Sequence, residues 1–449
     1  MKKLWGKFLP SSIRNNLKGR STLQRVITNV AWLSVDRFLR LGVGLFVGVW
    51  VARYLGPEQY GLFNYAVAFV GLFSVISTLG LDQIVIRDLV NDPVNSNEII
   101  GTAFCLKLLG GTLALVTAMT IIGILRPGES STLVLVGIIA AGLVFQSFDA
   151  IDFLFQAQIC SKYTVYAKNG AFLVIAVVKV VLILLHAPLI AFAMSGLAEV
   201  VLGAGGLIFF YHHRVAQFRD WRVSFPRSKE MLRFSWPLIL TGVAITVYMK
   251  IDQVMLGNLV NDAEVGIYAA AVRVSEVWYF IPIIITSSIY PTLVKLYHKS
   301  EDLFFDKLKQ IMGYFFWGTL IFSIIISFFS TQIIEILYGA DYLRAGGVLA
   351  IHIYAGVITS MGVVFSQKFI LDGTTKTYFY GTLAGAVSNI ILNLWLLPLY
   401  GAYGAAIATT ISYAMPMLFL SVVFDRQIGM IFISSVIYPF RDVMKMMRV

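Results

Sequence analysis

Apolar stretches separated by short polar connections run along almost the whole chain. They hold about 20 residues each, the length that an α-helix needs to cross the hydrocarbon core of a membrane. Twelve spans are predicted, at residues 29–51, 61–81, 99–123, 131–154, 163–185, 189–211, 235–257, 266–291, 311–333, 345–367, 379–398 and 402–424. The further apolar segment 428–440 is too short to span, so we expect it to lie at the membrane interface.

The polar connections alternate in charge along the chain. With the N-terminus in the cytoplasm, 25 of the 35 Lys and Arg residues fall in cytoplasmic segments. Only Arg53, Arg126 and Arg344 fall in external connections, and the remaining seven cations lie within spans. This asymmetry follows the positive-inside rule. It predicts a multi-pass protein of the inner (plasma) membrane with both termini in the cytoplasm.

The longest internal basic connection falls midway and divides the spans six and six. We therefore predict a cytoplasmic tail at 1–28, an N-terminal lobe at 29–211, a cytoplasmic linker at 212–234, a C-terminal lobe at 235–424 and a cytoplasmic or interfacial tail at 425–449. A faint repeat relates residues 59–63 to residues 264–268. Same-orientation repeats place a transport path between them. The predicted fold is an all-α polytopic membrane protein with two six-helix lobes around a central cleft.

Composition supports the membrane class. The chain is 58% hydrophobic and 13% charged, against about 25% charged residues in soluble domains. Its net charge of +11 is explained by topology rather than by nucleic acid. The two cysteines form neither a disulfide framework nor a metal-type spacing. Phosphate-binding loops, HExxH and GxSxG are absent, so we expect a protein that is not an enzyme and has no cofactor.

Ionised side chains inside the spans point to a polar substrate. On insertion scales each costs roughly 2.5–3.5 kcal/mol at the bilayer centre, and such groups normally face a cavity or a partner. Cations predominate, which favours an anionic ligand, and arginine suits phosphate because it makes two-point contacts. The candidate substrate-binding cations are Arg37, Arg40, Lys107, Lys179, Lys250 and Arg273.

An alternative is that these charges form buried ion pairs that fix helix register. Asp36 with Arg40, and Arg273 with Glu276, are spaced to pair on one helix. Lys107 has no such local partner. Lys179 could equally extend outward to the membrane surface.

Four acidic residues within spans are candidates for proton or sodium coupling: Asp36, Asp252, Glu276 and Glu199. For Glu199 we expect Lys179 or Lys168 as a partner, although Lys168 is also placed to extend to the membrane surface.

Other polar residues within spans have simpler interpretations. Asp149 and Asp152 could form a cation site or pair with a cytoplasmic cation such as Lys162. Asn389 and Asn393 are expected to form hydrogen bonds between helices. The glycines at 44 and 48 should allow close helix approach.

Three stretches resemble the oligosaccharide flippases of polysaccharide biosynthesis, of the O-antigen transporter type. This family shares a superfamily with lipid II flippases and multidrug and toxin extrusion transporters. The stretches are ARYLGPEQYGLFNYAVAFVGLFSVISTLGLD (52–82), GIYAAAVRVSEVWYFIP (266–282) and GAYGAAIATTIS (401–412). The GPEQYG turn is the most specific, and the resemblance covers nearly the whole chain.

The resemblance implies an alternating-access cycle. Its implied substrate is a polyprenyl-pyrophosphate-linked oligosaccharide, moved from the cytoplasmic to the outer leaflet, with a polysaccharide polymerase as a candidate partner. In similar flippases, cations on the first, second and eighth helices bind pyrophosphate. Arg37 and Arg40 match the first helix and Arg273 the eighth. Span 2 offers Asn64 and no basic residue, which disfavours lipid II as the substrate.

Two other functions are weighed against this one. A cation-coupled multidrug exporter of the same superfamily should centre on carboxylates, whereas deep cations are in excess here. A polysaccharide polymerase or ligase should carry a sizeable external loop, and the external connections are short.

Overall fold

The chain is helical throughout the part that its structure describes. The computed structural model describes residues 21–214 and 220–446, with their side chains except at 21–31, 33–38, 375 and 439–446. In chain order the helices are α1 Ser21–Thr78, α2 Asp82–Asn91, α3 Ser96–Leu125, α4 Ser130–Phe145, α5 Asp149–Ala157, α6 Lys162–Leu184, α7 Leu189–Arg214, α8 Phe225–Leu259, α9 Asp262–Glu276, α10 Phe280–Lys299, α11 Glu301–Phe328, α12 Ser330–Tyr338, α13 Arg344–His352, α14 Ala355–Leu371, α15 Thr375–Tyr400, α16 Ala402–Val423 and α17 Arg426–Met446. These elements confirm the predicted all-α membrane fold.

Eleven helical segments among the described residues are long and apolar enough to cross a membrane. The first, Leu39–Asn91, holds 53 residues and covers the first predicted span from residue 39 onward together with the whole of the second. Gly56 interrupts α1 with φ +72° and ψ 170°, and Pro57 follows it. Glycine tolerates this positive φ, and proline suits the first turn of the next helical arm. The count of twelve separate spans stays a prediction.

The two lobes are joined at one end and separate at the other. One large apolar cluster combines residues of both halves, including Tyr65 and Ala271. Two further clusters each draw on one side of the molecule, one from residues 81–231 and one from residues 293–431. We call the joined end the Arg126 end, because Arg126 packs on Tyr65 there. The opposite end, which carries Arg222, is the linker end. The lobes therefore part toward the linker end, where the first turns of α8 pack on the N-terminal lobe and Leu238 approaches Gly80.

The two copies of the predicted repeat contact each other at the Arg126 end. Gly61 and Gly266 occupy equivalent positions in the repeat. A methyl group added to Gly61 would overlap the Asp262 carbonyl, and one added to Gly266 would overlap the Pro57 carbonyl. Equivalent residues of a two-fold repeat touch only near the axis that relates them. These glycines therefore mark both the axis and the closest contact between α1 and α9.

Corresponding spans of the two halves are also interrupted. The fourth predicted span divides into α4 and α5 at a 3₁₀ turn, Gln146–Phe148, and the tenth divides into α13 and α14 after His352. Interrupted helices at matching positions in two halves indicate where a transporter binds ligands. The segment 428–440 lies within α17, which packs on α11 where Trp317 donates a hydrogen bond to the Val436 carbonyl (2.8 Å).

Candidate functional site

Arg273 crosses from the C-terminal lobe to the N-terminal lobe. It lies in the last turn of α9, is exposed, and donates a 2.7 Å hydrogen bond to the Gly44 carbonyl of α1. Its guanidinium lies so close to Gly48 that an added Cβ would come within 2.8 Å of Cζ. The two glycines predicted to bring helices together therefore accommodate this side chain. A guanidinium carries five N–H donors, so Arg273 can bind an anion while it contacts Gly44.

Two more of the predicted cations lie beside Arg273. Arg40 forms a 3.5 Å ion pair with Glu199 and lies 5.1 Å from the centre of the Phe172 ring. Lys179 is half-buried and interacts electrostatically with both Glu199 and Arg273. Arg40 and Lys179 thus both interact with Glu199, and Lys179 also interacts with Arg273, so the group carries a net positive charge. We call Arg40, Lys179, Glu199 and Arg273 the cleft cluster.

Two predicted residues of the first span cannot be placed in this cluster. The side chains of Asp36 and Arg37 lie outside the described residues. The Asp36–Arg40 pair and the role of Arg37 therefore stay predictions, and among the described residues Arg40 pairs with Glu199.

Glu276 and Arg273 point to different partners rather than to each other. Glu276 interacts electrostatically with Lys250 and Asp252, while Arg273 contacts α1. Lys250 is half-buried, and its side chain approaches Gly71 of α1. Lys250 and Glu276 therefore form a second charged group that faces the N-terminal lobe.

Asp252 lies inside the C-terminal lobe and is only 3% exposed. It accepts hydrogen bonds from Tyr268 (2.9 Å), Asn393 (2.5 Å) and Thr409 (2.6 Å). The Asn389 amide donates to Ser412 of α16 (3.2 Å), so the interhelical role predicted for the two asparagines is confirmed. Neutral donors from three helices can hold a buried carboxylate without a cationic partner.

Two predicted substrate ligands are engaged elsewhere. Lys107 is 1% exposed, pairs with Asp82 at 3.4 Å, and lies 4.6 Å from the centre of the Phe153 ring. The expectation of an unpaired Lys107 was wrong, because its partner comes from a different helix. Asn64 donates a hydrogen bond to the Tyr60 carbonyl one turn earlier (2.7 Å), so its amide N–H is engaged within its own helix.

A cavity of about 170 Å³ in the N-terminal lobe adjoins the cleft cluster. Its polar lining consists of Arg40, Gln146, Asp149, Lys168 and Glu199, and we call it the N-lobe cavity. Lys168 pairs with Asp149 at 2.8 Å and with Asp152 at 3.1 Å. Of the two alternatives for these acids, the pairing with a cation is therefore observed, but the cation is Lys168 rather than Lys162. Lys168 points inward from α6 instead of extending to the membrane surface.

Arg126 joins the two lobes at the closed end, which sequence reasoning missed. It is 7% exposed, binds Asp262 through two contacts (2.8 and 3.0 Å), and stacks 3.9 Å from the centre of the Tyr65 ring. Burial lowers the pKa of Arg126, but Asp262 raises it above its usual value, so Arg126 stays protonated. The available signal was that Arg126 is one of only three external cations in the predicted topology.

Residues 26–297 match the family described as polysaccharide biosynthesis protein. The chain belongs to this family. The matched region covers more than half of the chain and includes the cleft cluster. The resemblance that the sequence motifs carry is thereby confirmed.

A curated relative of this chain is a probable low-salt glycan biosynthesis flippase of Haloferax volcanii. It is 22% identical over 456 aligned positions, which cover 93% of this chain and 88% of the relative.

Two solved transporter structures share the fold. A multidrug resistance MATE family transporter of the MOP superfamily, in an inward-facing conformation, has a TM-score of 0.71, 15% identity, and coverage of 90% of this chain and 98% of its own. The lipid II flippase MurJ in an inward closed conformation has a TM-score of 0.70, 18% identity and 91% coverage of both chains. At these identities the likeness shows the shared fold.

Proposed function

We propose that this protein is a flippase that moves polyprenyl-pyrophosphate-linked oligosaccharides from the cytoplasmic to the outer leaflet for cell-surface polysaccharide biosynthesis. Family membership and the flippase relative support transport rather than catalysis. The observation that carries the proposal is Arg273, an exposed guanidinium at the lobe interface within a cluster of excess positive charge.

The substrate is matched by charge and by position. The pyrophosphate binds Arg273, Arg40 and Lys179, since guanidinium groups contact phosphate oxygens at two points. The sugars occupy the cleft, and the polyprenyl tail remains in the surrounding lipid. Because the lobes separate at the linker end, the described state receives substrate from that side. With the linker in the cytoplasm and the protein in the plasma membrane, this is the cytoplasmic leaflet.

Export then requires the lobes to part at the Arg126 end. The Arg126–Asp262 contact and the glycine contact of α1 with α9 must separate, while the halves close at the linker end. A membrane potential that is negative inside drives an anionic head outward by about 2.3 kcal/mol per charge per 100 mV. Proton or sodium coupling through Asp36, Asp252, Glu199 or Glu276 would add to this force.

The test is substitution of Arg273 in a strain that lacks its own flippase. We expect Arg273→Ala to abolish complementation while the protein still reaches the membrane. Arg273→Lys should also fail, because a lysine ammonium cannot make the two-point contact. Arg87→Ala is the matched control, since Arg87 pairs with its neighbour Asp88 (2.8 Å) away from the cleft cluster. Full complementation by Arg273→Ala would overturn the proposal.

A further inference from the structure

The N-lobe cavity is built at the interruption of the fourth span. The 3₁₀ turn Gln146–Phe148 separates α4 from α5 and presents Gln146 to the cavity. Irregular backbone at membrane depth is tolerated where it is buried in protein or lines a polar cavity. The volume of the cavity is about 170 Å³. This space suits one sugar ring rather than an oligosaccharide.

The charges of the lining select a neutral ligand. Its ionised groups are two cations and two anions, paired as Arg40 with Glu199 and Lys168 with Asp149. Neither an anion nor a cation is favoured by such a balanced set. Sugar hydroxyls both donate and accept hydrogen bonds, so they can bind ammonium, guanidinium and carboxylate groups together. The Gln146 amide adds one more donor and acceptor.

The apolar part of the lining suits the same ligand. Phe145 and Phe148 lie on either side of Gln146 and border the cavity. Aromatic and apolar surfaces cover the C–H faces of a ring while a few polar groups fix its orientation.

The position of the cavity relates it to the cleft cluster. Arg40 and Glu199 belong to both, and Phe172, which packs on Arg40, approaches Gly44 together with Arg273. A ligand with phosphates on Arg273 would therefore carry its next chemical group toward the cavity. We infer that the N-lobe cavity binds the sugar attached to the pyrophosphate, an inference that rests on the proposed function.

The test compares two lipids on the purified full-length chain in nanodiscs. The probes are polyprenyl pyrophosphate without sugar and polyprenyl-pyrophosphate-linked oligosaccharide extracted from the producing cells. We expect the unsubstituted protein to bind the glycosylated lipid more tightly. Asp149→Asn and Gln146→Ala should each weaken binding of the glycosylated lipid roughly 10-fold, because each removes a hydrogen bond to a charged group or leaves its partner unsatisfied. Neither substitution should change the affinity for the sugar-free lipid.

Asp152→Asn is the matched control. It also removes one acidic partner of Lys168, but Asp152 bonds Thr164 (2.6 Å) and is absent from the cavity lining. Equal effects of Asp149→Asn and Asp152→Asn on the glycosylated lipid would reduce the cavity to a structural ion-pair network and overturn the inference. Binding of neither lipid by the unsubstituted protein would instead refute the proposed flippase. The two failures are therefore distinguishable.

Discussion

Lys107 is a fully buried cation whose acidic partner is half exposed. The lysine side chain is 1% exposed and the Asp82 side chain 49%. Removal of Asp82 and removal of Lys107 therefore have different consequences. Without Asp82, an ammonium remains buried beside the Phe153 ring. Without Lys107, a carboxylate remains that water can reach.

We expect Asp82→Asn to lower the thermal unfolding midpoint in detergent more than Lys107→Met does. A buried charged group left without its partner costs about 1–3 kcal/mol or more, whereas methionine fills the space of the lysine stem. Lys107→Met should also retain transport, because the lysine is engaged away from the cleft cluster. Loss of transport by well-folded Lys107→Met would return this residue to the substrate site.

At the scale of helices, the contact of α1 with α9 depends on two glycines. Backbone carbonyls of Asp262 and Pro57 occupy the positions that side chains at Gly61 and Gly266 would need. Backbone atoms cannot move aside as the end of a flexible side chain can. The helices can approach this closely only without side chains at these two positions, and the closed Arg126 end depends on that approach.

We therefore expect Gly61→Ala and Gly266→Ala each to destabilise the closed end by about 1–3 kcal/mol, the usual cost of overpacking. Both variants should unfold at lower temperature in detergent and transport poorly. Gly42→Ala is the control on the same helix, since nothing lies within 4 Å of an added Cβ there. An unfolding midpoint for Gly61→Ala equal to that of Gly42→Ala would contradict the close contact.

At the scale of the whole molecule, the Arg126–Asp262 pair connects the lobes across the closed end. Arg126 belongs to the connection between α3 and α4, and Asp262 begins α9. The pair also holds Arg126 over Tyr65 and within hydrogen-bond distance of Asn258 (3.3 Å). These contacts stabilise the state that is open at the linker end.

Asp262→Asn should shift the protein toward the state that is open at the Arg126 end. A hydrogen bond to a charged group contributes about 1.5–3 kcal/mol, which is about a 10- to 100-fold change in the ratio of the two states. Spin labels at Ser130 and Val260, exposed residues that flank the pair, should report longer distances by double electron–electron resonance. Cys105 and Cys160 would first be replaced.

Glu129→Gln provides the control for this measurement. Glu129 also pairs with Arg126 (3.2 Å), but it lies three residues away in the same connection and is half exposed. Its loss removes no contact between lobes, so the distance distribution should stay as in the unsubstituted protein. Identical distributions for Asp262→Asn and the unsubstituted protein would show that the pair does not hold the closed end.

The sequence alone predicted the helical membrane fold, whereas the count of twelve separate spans stays a prediction. Backbone groups in a bilayer must be satisfied within the chain, so about 20 apolar residues predict one helix wherever they occur. The repeat was also visible, because Gly61 and Gly266 stand in matching local sequences. Arg273 could be predicted as a candidate substrate ligand from its residue type, its depth in the predicted span and the sequence motif that contains it.

Partners of the charged residues were decided by the tertiary structure. Lys107 meets Asp82 across 25 residues of chain, and Arg126 meets Asp262 across 136. Helical spacing predicts only neighbours three or four residues apart. Packing of separate helices determines which charges meet across longer distances. Spacing therefore suggested Glu276 for Arg273, whereas the folded chain brings Arg273 to Gly44 of α1. The folded chain also brings Glu199 to Arg40, a contact that helical spacing could not predict, while the Asp36–Arg40 pair stays a prediction. The sequence alone determined the number and type of the cations within the spans. Only the assembled lobes decide which of these cations remain available to a substrate, because packing pairs some of them with acidic residues.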